Sequence, residues 1–539
     1  MIDRTFILDS EHTQAAESRL YGYAVTAEGR LYVDELPPEE PAAGLWCLVR
    51  REGDSVTVTQ DASGGFGLFL WREGDRWLLS NSLMRLASAL DRPVIEPLAA
   101  LALMDAAQVP CLDGATLLRG VTRLGMHDAV RIRGRELTVE RGSFPYYAEP
   151  VTDRAALDAL DGWFRRWTRV LRQVVAEGAP LACDLTGGLD TRILIAMLRR
   201  GNVDVGSLLL RSHEAVNLQK DAEDWRIASA IAAKFGWRLN DESAVPVTVT
   251  GSLRPEEAFE AARDSSLGVT QLVKYGLEDC DRPIFTAKGL GSTLKGGFWR
   301  SRAAFCRTFL PEGRMLHRSC MTLPERLSSR GPLWEYRRFL LGQIRSMLAF
   351  SGLRREKAAS LLYKRLCAVR DLHKALDWMC CGRIALCPFT DPAVERLDYT
   401  VDGGRDKLAL AALVLDRFDP ELLEFPVQGR VIRPKTLARV REINRRFPPA
   451  PPERMEPLSA APRPVSARVL DGADMLEFLR QKWDAPAFRA ACGAVYDPRL
   501  TEKLTAAVTA DKLNRRAQPV NALLAVGELA ALAEKGSPV

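Results

Sequence analysis

The chain has 539 residues, which is too long for one hydrophobic core and predicts two to four domains. Its hydrophobic fraction of 47% and charged fraction of 27% are those of an ordinary globular protein and exclude a globally disordered chain. A net charge of +6 is compatible with an anionic ligand but is too small, over so large a surface, to indicate nucleic-acid binding.

The cysteines and the N-terminus indicate the cellular compartment. The 11 cysteines form no CxxC pairs with the spacing of a zinc site, and an odd number of thiols is typical of the reducing cytosol. Asp3, Arg4 and Asp9 surround the first short apolar run, which is therefore not a signal peptide. No apolar run reaches the roughly 20 residues that a membrane helix needs. We expect a soluble, cytoplasmic protein that binds neither membrane nor nucleic acid.

The first part of the chain, to about residue 145, is predicted to be mainly β. Residues 44–52 and 56–82 alternate β-forming residues with turn signals, and residues 120–142 repeat that pattern. Residues 96–106, EPLAALALMDA, predict a helix between them. The expected structure is a mostly antiparallel β layer with a few helices.

From about residue 155 the pattern changes to alternating helices and strands, which is typical of a parallel doubly wound sheet. The first predicted helix covers residues 156–178 and ends at Gly178. The elements predicted after it are a strand over 180–185, a helix over 191–200, a strand over 203–211 and a helix over 221–236.

The last third of the chain is predicted to be largely helical. Residues 448–464 are so rich in proline that they predict a linker or surface loop, and residues 468–533 predict a final helical segment. The expected domains are residues 1–150, 151–445 and 446–539.

The stretch CDLTGGLDTR, residues 183–192, lies between a predicted strand and a predicted helix. Ligands of parallel sheets bind where such loops lead into helix N-termini. Gly187 and Gly188 can adopt positive φ and let the backbone approach a ligand closely. The amides that lead into the helix can bind a phosphate, helped by the helix dipole.

Three side chains of this loop have matching chemistry. Thr186 and Thr191 add hydroxyl donors, and Asp190 can hold Mg²⁺ between its carboxylate and the phosphates. The loop lacks the GK[ST] ending of a Walker A motif, which excludes that nucleotide fold. The alternative interpretation is a tight glycine turn in which Asp190 acts like a helix cap.

TGGLDTR resembles the SGGxDS pyrophosphate loop of the asparagine synthetase family, in the ATP pyrophosphatase superfamily. Further segments resemble motifs of that family in the same order, and the resemblance covers residues 1 to about 430. These segments are 61–90, 116–132, 221–237, 285–298, 377–397 and 404–429. The resemblance implies a glutaminase-like αββα sandwich, then a doubly wound parallel-sheet ATP-pyrophosphatase domain with a helical C-terminal extension.

The resemblance also implies ATP and Mg²⁺ as cofactors. The residues that would bind them are Thr186, Gly187, Gly188, Asp190, Thr191, Gly289, Gly291, Ser292 and Thr293, with Asp190 as the metal ligand. The implied reaction adenylates a carboxylate, releases AMP and pyrophosphate and forms an amide. The substrate would be a small molecule or peptide that carries a carboxylate and an amine, and a partner subunit that delivers ammonia or substrate is a further possibility.

The chain departs from the family pattern at its N-terminus and in the glycine-rich loop. Ile2 stands where the family's glutaminase has its nucleophilic cysteine, so we expect no glutamine hydrolysis. The same loss marks the β-lactam synthetases and lasso-peptide cyclases of this family. Ser292 or Thr293 stands where the family has an acidic residue, often a second metal ligand, and a hydroxyl supplies no charge there.

Two more departures lie further along the chain. Ile384 and Leu386 stand where the family has a glutamate and an arginine. The family's late lysine should fall at Val427 or Gln428, and the catalytic candidates that could replace it are Lys407 and Lys435. Two functions therefore stay open: an ATP-dependent carboxylate–amine ligase, or a catalytically degenerate relative that acts as a binding or scaffolding subunit.

Several charged residues have a structural interpretation that we prefer. Asp221, Glu223 and Asp224 open a helix, where the dipole favours acids. Asp391 is expected to cap or orient structure, and Lys288 is expected to be solvated. The arginine-rich residues 162–170 are interpreted as an amphipathic helix that joins two domains.

Overall fold

The computed structural model of the chain describes residues 3–12, 16–104, 114–142, 151–212, 219–265, 278–290, 381–397, 399–403, 406–496 and 517–535, with a few single positions between 294 and 506. The chain is of the mixed α/β class, with both parallel and antiparallel sheets. No helix in these ranges is long and apolar enough to cross a membrane.

The N-terminal region forms two antiparallel sheets, as its alternating pattern predicts. Its elements are β1 Ile7–Asp9, β2 Arg19–Val25, β3 Leu31–Val33, β4 Ala43–Glu52, β5 Ser55–Gln60, β6 Phe69–Glu73, β7 Arg76–Ser80, α1 Leu83–Ser88, α2 Pro97–Met104, β8 Val121–Arg123, β9 Ala129–Arg133 and β10 Glu136–Glu140. One sheet has the order β1-β7-β6-β8 and the other β10-β9-β5-β4-β2-β3. Every second residue of β5 is buried, which is the period of a strand with one face on a core.

The middle of the chain alternates helices and strands. Its elements are α3 Asp153–Ala176, β11 Leu181–Asp184, α4 Leu189–Arg200, β12 Val203–Asp204, β13 Leu209–Arg211, α5 Gln219–Phe235, β14 Val247–Ser252, α6 Pro255–Ser265, β15 Glu278–Cys280, β16 Ile284–Ala287 and β17 Arg383–Leu386. Four of these strands, in the order β13-β11-β16-β17, form an all-parallel sheet. The chain order reverses between β11 and β16, which makes that pair a topological switch point.

Local signals explain where α3 begins and ends. The hydroxyl of Thr152 accepts from the amide of Ala155, which caps the first turn. Gly178 adopts φ +69° two residues beyond the helix, so glycine closes it as predicted. Trp163 and Trp167 lie on the buried face of α3 and are fully buried.

The prediction of one strand over residues 203–211 is wrong. The carboxylate of Asp204 accepts from the amide of Gly206 at 3.1 Å and starts a short 3₁₀ turn over residues 205–207. Only β13 therefore joins the parallel sheet, while β12 pairs with residues 458–459. Asp and Gly inside an otherwise apolar run are the turn signal that breaks this strand.

The C-terminal third contains more strand than predicted. Its elements are α7 Pro392–Glu395, α8 Ala409–Phe418, α9 Pro420–Leu423, α10 Pro434–Arg446, β18 Leu458–Ser459, β19 Val465–Val469, α11 Gly472–Asp484, α12 Pro486–Val495 and α13 Ala517–Lys535. The proline-rich stretch holds only the two-residue β18, close to expectation. β19 was not predicted, and it pairs in parallel with β14 and antiparallel with β15. The chain after the proline-rich stretch is thus part of a sheet that begins 200 residues earlier.

The apolar core runs from the N-terminal sheets through α3 to the parallel sheet. Between these regions the Tyr23 hydroxyl on β2 accepts from the amide of Cys387, directly after β17, at 2.9 Å. A second apolar cluster joins α1 and α2 to α11, α12 and α13. The α/β sheet, and with it the ends of β11 and β16, is therefore held on a continuous core.

Candidate functional site

The predicted phosphate loop lies at the switch point of the parallel sheet. Residues 185–188 follow β11 and lead into α4, and Lys288 and Gly289 follow the neighbouring β16. A Cβ atom built on Gly289 would lie 3.2 Å from the Cβ atom of Asp190, so the two loops are in contact. Ligands of sheets with this strand order bind in the crevice beyond these carboxyl ends.

The hydroxyl groups of two threonines form hydrogen bonds within the loop. The hydroxyls of Thr186 and Thr191 lie 3.0 Å apart, and the Thr191 hydroxyl also accepts from the amide of Thr186 at 3.2 Å. The amide of Gly188 donates to the Thr186 hydroxyl at 3.2 Å. These hydroxyls, predicted as phosphate donors, therefore shape the turn that presents the first turn of α4.

The role predicted for the glycines is wrong in one respect, because neither Gly187 nor Gly188 has a positive φ. Gly188 is the N-cap of α4 in an extended conformation, with φ −79°. Gly187 is needed because there is no room for a side chain: a Cβ atom there would lie 2.9 Å from Asp224 Oδ1 and 3.0 Å from Ile227 Cδ1. Close packing, not an unusual backbone conformation, requires glycine at position 187.

Arg192, which the sequence did not single out, holds the loop in place through hydrogen bonds from its guanidinium group. Its side chain is fully buried, and burial lowers the pKa of its guanidinium to about 10. Nη2 donates to the carbonyl of Gly187 at 3.0 Å and to that of Pro426, and Nη1 donates to the carbonyl of Phe425 at 2.9 Å. One guanidinium thus ties the glycine turn to the segment that follows α9. Its only sequence signal is its place as the last residue of the stretch CDLTGGLDTR, in the first turns of α4.

The acids of α5 do more than favour a helix N-terminus, which corrects our preferred interpretation. Asp224 lies in the second turn of α5, and its Oδ1 accepts from the amide of Gly187 at 2.5 Å. Glu223 accepts from the amide of Gly429 at 3.1 Å. The side chain of Asp221 lies outside the described residues. Asp224 and Glu223 therefore position the two loops that meet at the site.

Lys288 is not simply solvated. Its ammonium lies 2.6 and 2.9 Å from the two carboxylate oxygens of Asp184, the last residue of β11. The pair lies at the end of two adjacent strands and is mostly buried, with 15% of Lys288 and 25% of Asp184 exposed. Cys183 precedes Asp184, and burial raises the pKa of its thiol far above the usual value, which disfavours the reactive thiolate.

Asp190 lies in the first turn of α4 and is 5% exposed. Across the described ranges no group of three or more His, Cys, Asp or Glu residues is placed to hold a metal ion. Magnesium bound to a nucleotide usually takes one or two protein carboxylates and the phosphates themselves, so a single carboxylate fits that role. The tightly packed glycine turn, the helix N-terminus, Asp190 and Lys288 form a donor set that fits a magnesium-bound polyphosphate.

The two candidate lysines belong to two chain segments that the Asp406 carboxylate holds together. Asp406 accepts from the amide of Leu408 through one oxygen and from the amide of Arg433 through the other. Half-buried Lys407 and exposed Lys435 are within two residues of these amides. The predicted ligands Gly291, Ser292 and Thr293 lie outside the described residues, as does Ile2.

The apolar residues at two positions where the resemblance predicts charged side chains are core residues. Ile384 and Leu386 belong to β17 and are almost fully buried, and the Leu386 carbonyl accepts from the amide of Lys288 at 2.9 Å. Gln428, at the expected lysine position, donates through its amide to the Gly187 carbonyl at 3.2 Å. Both departures therefore lie next to the site without supplying charge to it.

The predicted capping role of Asp391 and the amphipathic helix predicted over residues 162–170 are confirmed. Asp391 is fully buried, caps α7 through the amide of Ala393, and accepts from Arg166 at 2.6 Å and Trp167 at 2.9 Å. On the same helix Arg169 pairs with Glu453 at 2.5 Å. The charged side of α3 is therefore engaged in contacts with other parts of the fold.

Comparison with known protein families and with curated proteins finds no match for this chain.

Proposed function

We propose that the protein is an ATP-dependent carboxylate–amine ligase of the asparagine synthetase type. It would adenylate a carboxylate, release AMP and pyrophosphate, and form an amide without hydrolysing glutamine. In this proposal residues 1–150 form a degenerate glutaminase-like αββα domain, residues 151–445 a doubly wound ATP-pyrophosphatase domain, and residues 446–539 a C-terminal extension. The protein would act in the cytoplasm.

The observation that carries the proposal is the set of groups gathered between β11 and β16. A glycine turn opens α4 there, Asp190 supplies a buried carboxylate, and Lys288 supplies a cation from the neighbouring strand. An anion at a helix N-terminus is stabilised by the free amides and by the dipole. A cation and a metal-binding carboxylate at the same place are the groups that polyphosphate chemistry needs.

The chain's own residues would divide the work as follows. The first-turn amides of α4 bind phosphate oxygens, while Thr186 and Thr191 keep those amides in position. Asp190 holds magnesium, and Lys288 orients toward the phosphates when it exchanges its contact with Asp184. ATP, when bound, supplies the adenylyl group that activates the carboxylate. Lys407 and Lys435 remain the candidates for the family's late lysine, and either could stabilise charge late in amide formation.

One observation favours the second candidate function, a degenerate relative that binds without reacting. Gly187 and Gly188 already donate their amides to Asp224 and Thr186, and Lys288 is neutralised by Asp184. A loop in this state is stable without a ligand. The two candidate functions therefore differ in whether magnesium-bound ATP binds and reacts.

Magnesium-dependent ATP–pyrophosphate exchange with a panel of carboxylates tests the ligase. We expect Asp190→Ala to reduce the exchange rate about 100-fold or more, because a metal-binding carboxylate is lost. Asp474→Ala is the matched control, since Asp474 is an exposed acid in the first turn of α11. Exchange that survives Asp190→Ala contradicts the assigned role of Asp190. If calorimetry detects no ATP binding to the wild type, the ligase proposal fails and the binding-subunit function is favoured.

A further inference from the structure

The segment that leads away from the phosphate loop is strongly basic. Residues 430–446, RVIRPKTLARVREINRR, contain seven arginines and lysines and one acid, Glu442. Most of the segment is the helix α10, whose buried residues Thr436, Val440 and Ile443 face the core. A helix of 13 residues is about 20 Å long, so the charge extends well beyond one small ligand.

Five of these seven cations have no acidic partner among the described residues. Arg439 pairs with Asp153 at 3.2 Å, and Arg441 lies 3.8 Å from Asp416. The other five are exposed and have no acidic partner in the part of the chain that the structure describes: Arg430, Arg433, Lys435, Arg445 and Arg446. We call these five residues the basic segment. The basic segment thus places five cations without an acidic partner among the described residues within 17 positions, at the start of α10 and along it, in a chain whose total net charge is +6.

The basic segment begins at the candidate site. The amides of Gln428 and Gly429 donate to the Gly187 carbonyl and to Glu223, and two residues are enough to reach Arg430. The amide of Arg433 then donates to Asp406 at 2.9 Å, which fixes the start of α10. A molecule that lies along α10 therefore has one end at the phosphate loop.

The surroundings of the cations decide what kind of molecule fits. A membrane surface fits less well, because the apolar face of α10 is buried in the core and adds no insertion to the charge attraction. Residues 430–446 contain no aromatic side chain, and the ring of Phe447 that follows is covered by Arg446 at 5.1 Å, so nucleic-acid bases have no open ring to stack on there. Arginine guanidinium groups bind carboxylates through two parallel hydrogen bonds, and Val431, 85% exposed, offers an apolar contact among them.

We propose that the basic segment is the docking surface for an acidic peptide, whose carboxylate it delivers to the phosphate loop. The docking itself is independent of catalysis, whereas the role of the peptide as substrate rests on the ligase function proposed above. Carboxylates along the peptide pair with the cations of the basic segment, and the end of the peptide reaches the crevice between β11 and β16. The substrate class of the ligase is then an acidic peptide and not a small metabolite.

Fluorescence anisotropy with a labelled octaglutamate peptide and the full chain tests the docking. We expect binding at low ionic strength that weakens steeply with salt. The triple variant Arg430→Glu, Arg433→Glu, Arg445→Glu should raise the dissociation constant about tenfold or more, through like-charge repulsion. The control variant changes the total charge by the same amount at exposed positions of the N-terminal region, through Arg92→Glu, Arg133→Glu and Arg135→Glu. It should change the dissociation constant about twofold or less. Circular dichroism checks that both variants fold.

Each result has one meaning for the proposal. An equal loss in both triple variants, or no octaglutamate binding to the wild type, overturns the docking surface. Tighter binding of a single-stranded oligonucleotide of the same charge, lost in the Arg430 variant alone, overturns the peptide in favour of nucleic acid. ATP–pyrophosphate exchange distinguishes the two proposals. Octaglutamate binding that depends on the basic segment, without any exchange, supports the docking surface and contradicts the ligase. Exchange without octaglutamate binding contradicts only the docking surface.

Discussion

Two turns share the pattern D-x-[ST]-G-G, DASGGFG at 61–67 and DLTGGLD at 184–190, but fold in different ways. In the first turn Asp61 is 1% exposed and accepts from the hydroxyl and amide of Ser63 and from the amide of Gly65. In the second turn the equivalent Asp184 pairs instead with Lys288, which directly follows the neighbouring strand β16. The first turn leads to a strand and the second to a helix.

The difference shows how two similar glycine turns are held. The turn at 61–67 bonds the amides of Ser63, Gly65 and Phe66 to its own Asp61 and presents no helix N-terminus. The turn at 184–190 is held by residues outside it, Arg192 and Asp224 above all, and it ends in the N-terminus of α4. A ligand at that helix end meets amides that no element of the helix itself can satisfy.

If the turn at 184–190 depends on contacts from outside it, removing the Arg192 side chain should have the largest effect on the free energy of unfolding. We expect Arg192→Met to lower the free energy of unfolding by about 3 kcal/mol, because several buried carbonyl groups lose their donor. Denaturant unfolding of wild type and variant measures this loss. The acceptors involved are the carbonyls of Gly187, Leu422, Phe425 and Pro426.

The matched control is Arg199→Met on the same helix. Arg199 is 29% exposed and forms ion pairs with Asp419 and Glu421, so its loss should cost about 1 kcal/mol or less. Equal stability losses in the two variants would mean that the turn at 184–190 is as self-contained as the turn at 61–67.

The next comparison places alanine at equivalent glycines of the two turns. In Gly187→Ala the new Cβ atom meets Asp224 and Ile227, and in Gly64→Ala it meets the Cβ atom of Met126 at 2.8 Å while the backbone keeps φ +63°. We expect each change to cost about 1–3 kcal/mol in unfolding free energy. Only Gly187→Ala should also weaken the binding of magnesium-bound ATP, measured by calorimetry. Weaker ATP binding in both variants would remove the functional distinction between the turns.

Part of this contrast can be predicted from the sequence. The periodicity of residues 156–200 predicts the strand and helix on either side of the loop, and the strand order then places Gly289 beside Asp190. The contacts that hold the loop were not predictable, because Asp184 meets Lys288 across 104 residues and Arg192 meets Pro426 across 234. Local patterns carry no information on such pairs. β19 was missed for a related reason, since its partner β14 is distant and the prolines before it predict a loop.

The smallest expected effect concerns pH and the first turn. Burial raises the pKa of the Asp61 carboxyl, and the hydrogen bonds from its own turn offset this only in part. Between the pKa values of the unfolded and the folded chain, only the folded state keeps this proton, so stability falls as pH rises through that interval. Asp61→Asn has no such titration, and wild type should therefore gain stability relative to it as pH is lowered toward about 4. Denaturant unfolding across a pH series measures the difference, in which all other groups cancel. Parallel profiles would show that the carboxyl titrates alike in both states, and that the turn at 61–67 is not closed on a buried acid.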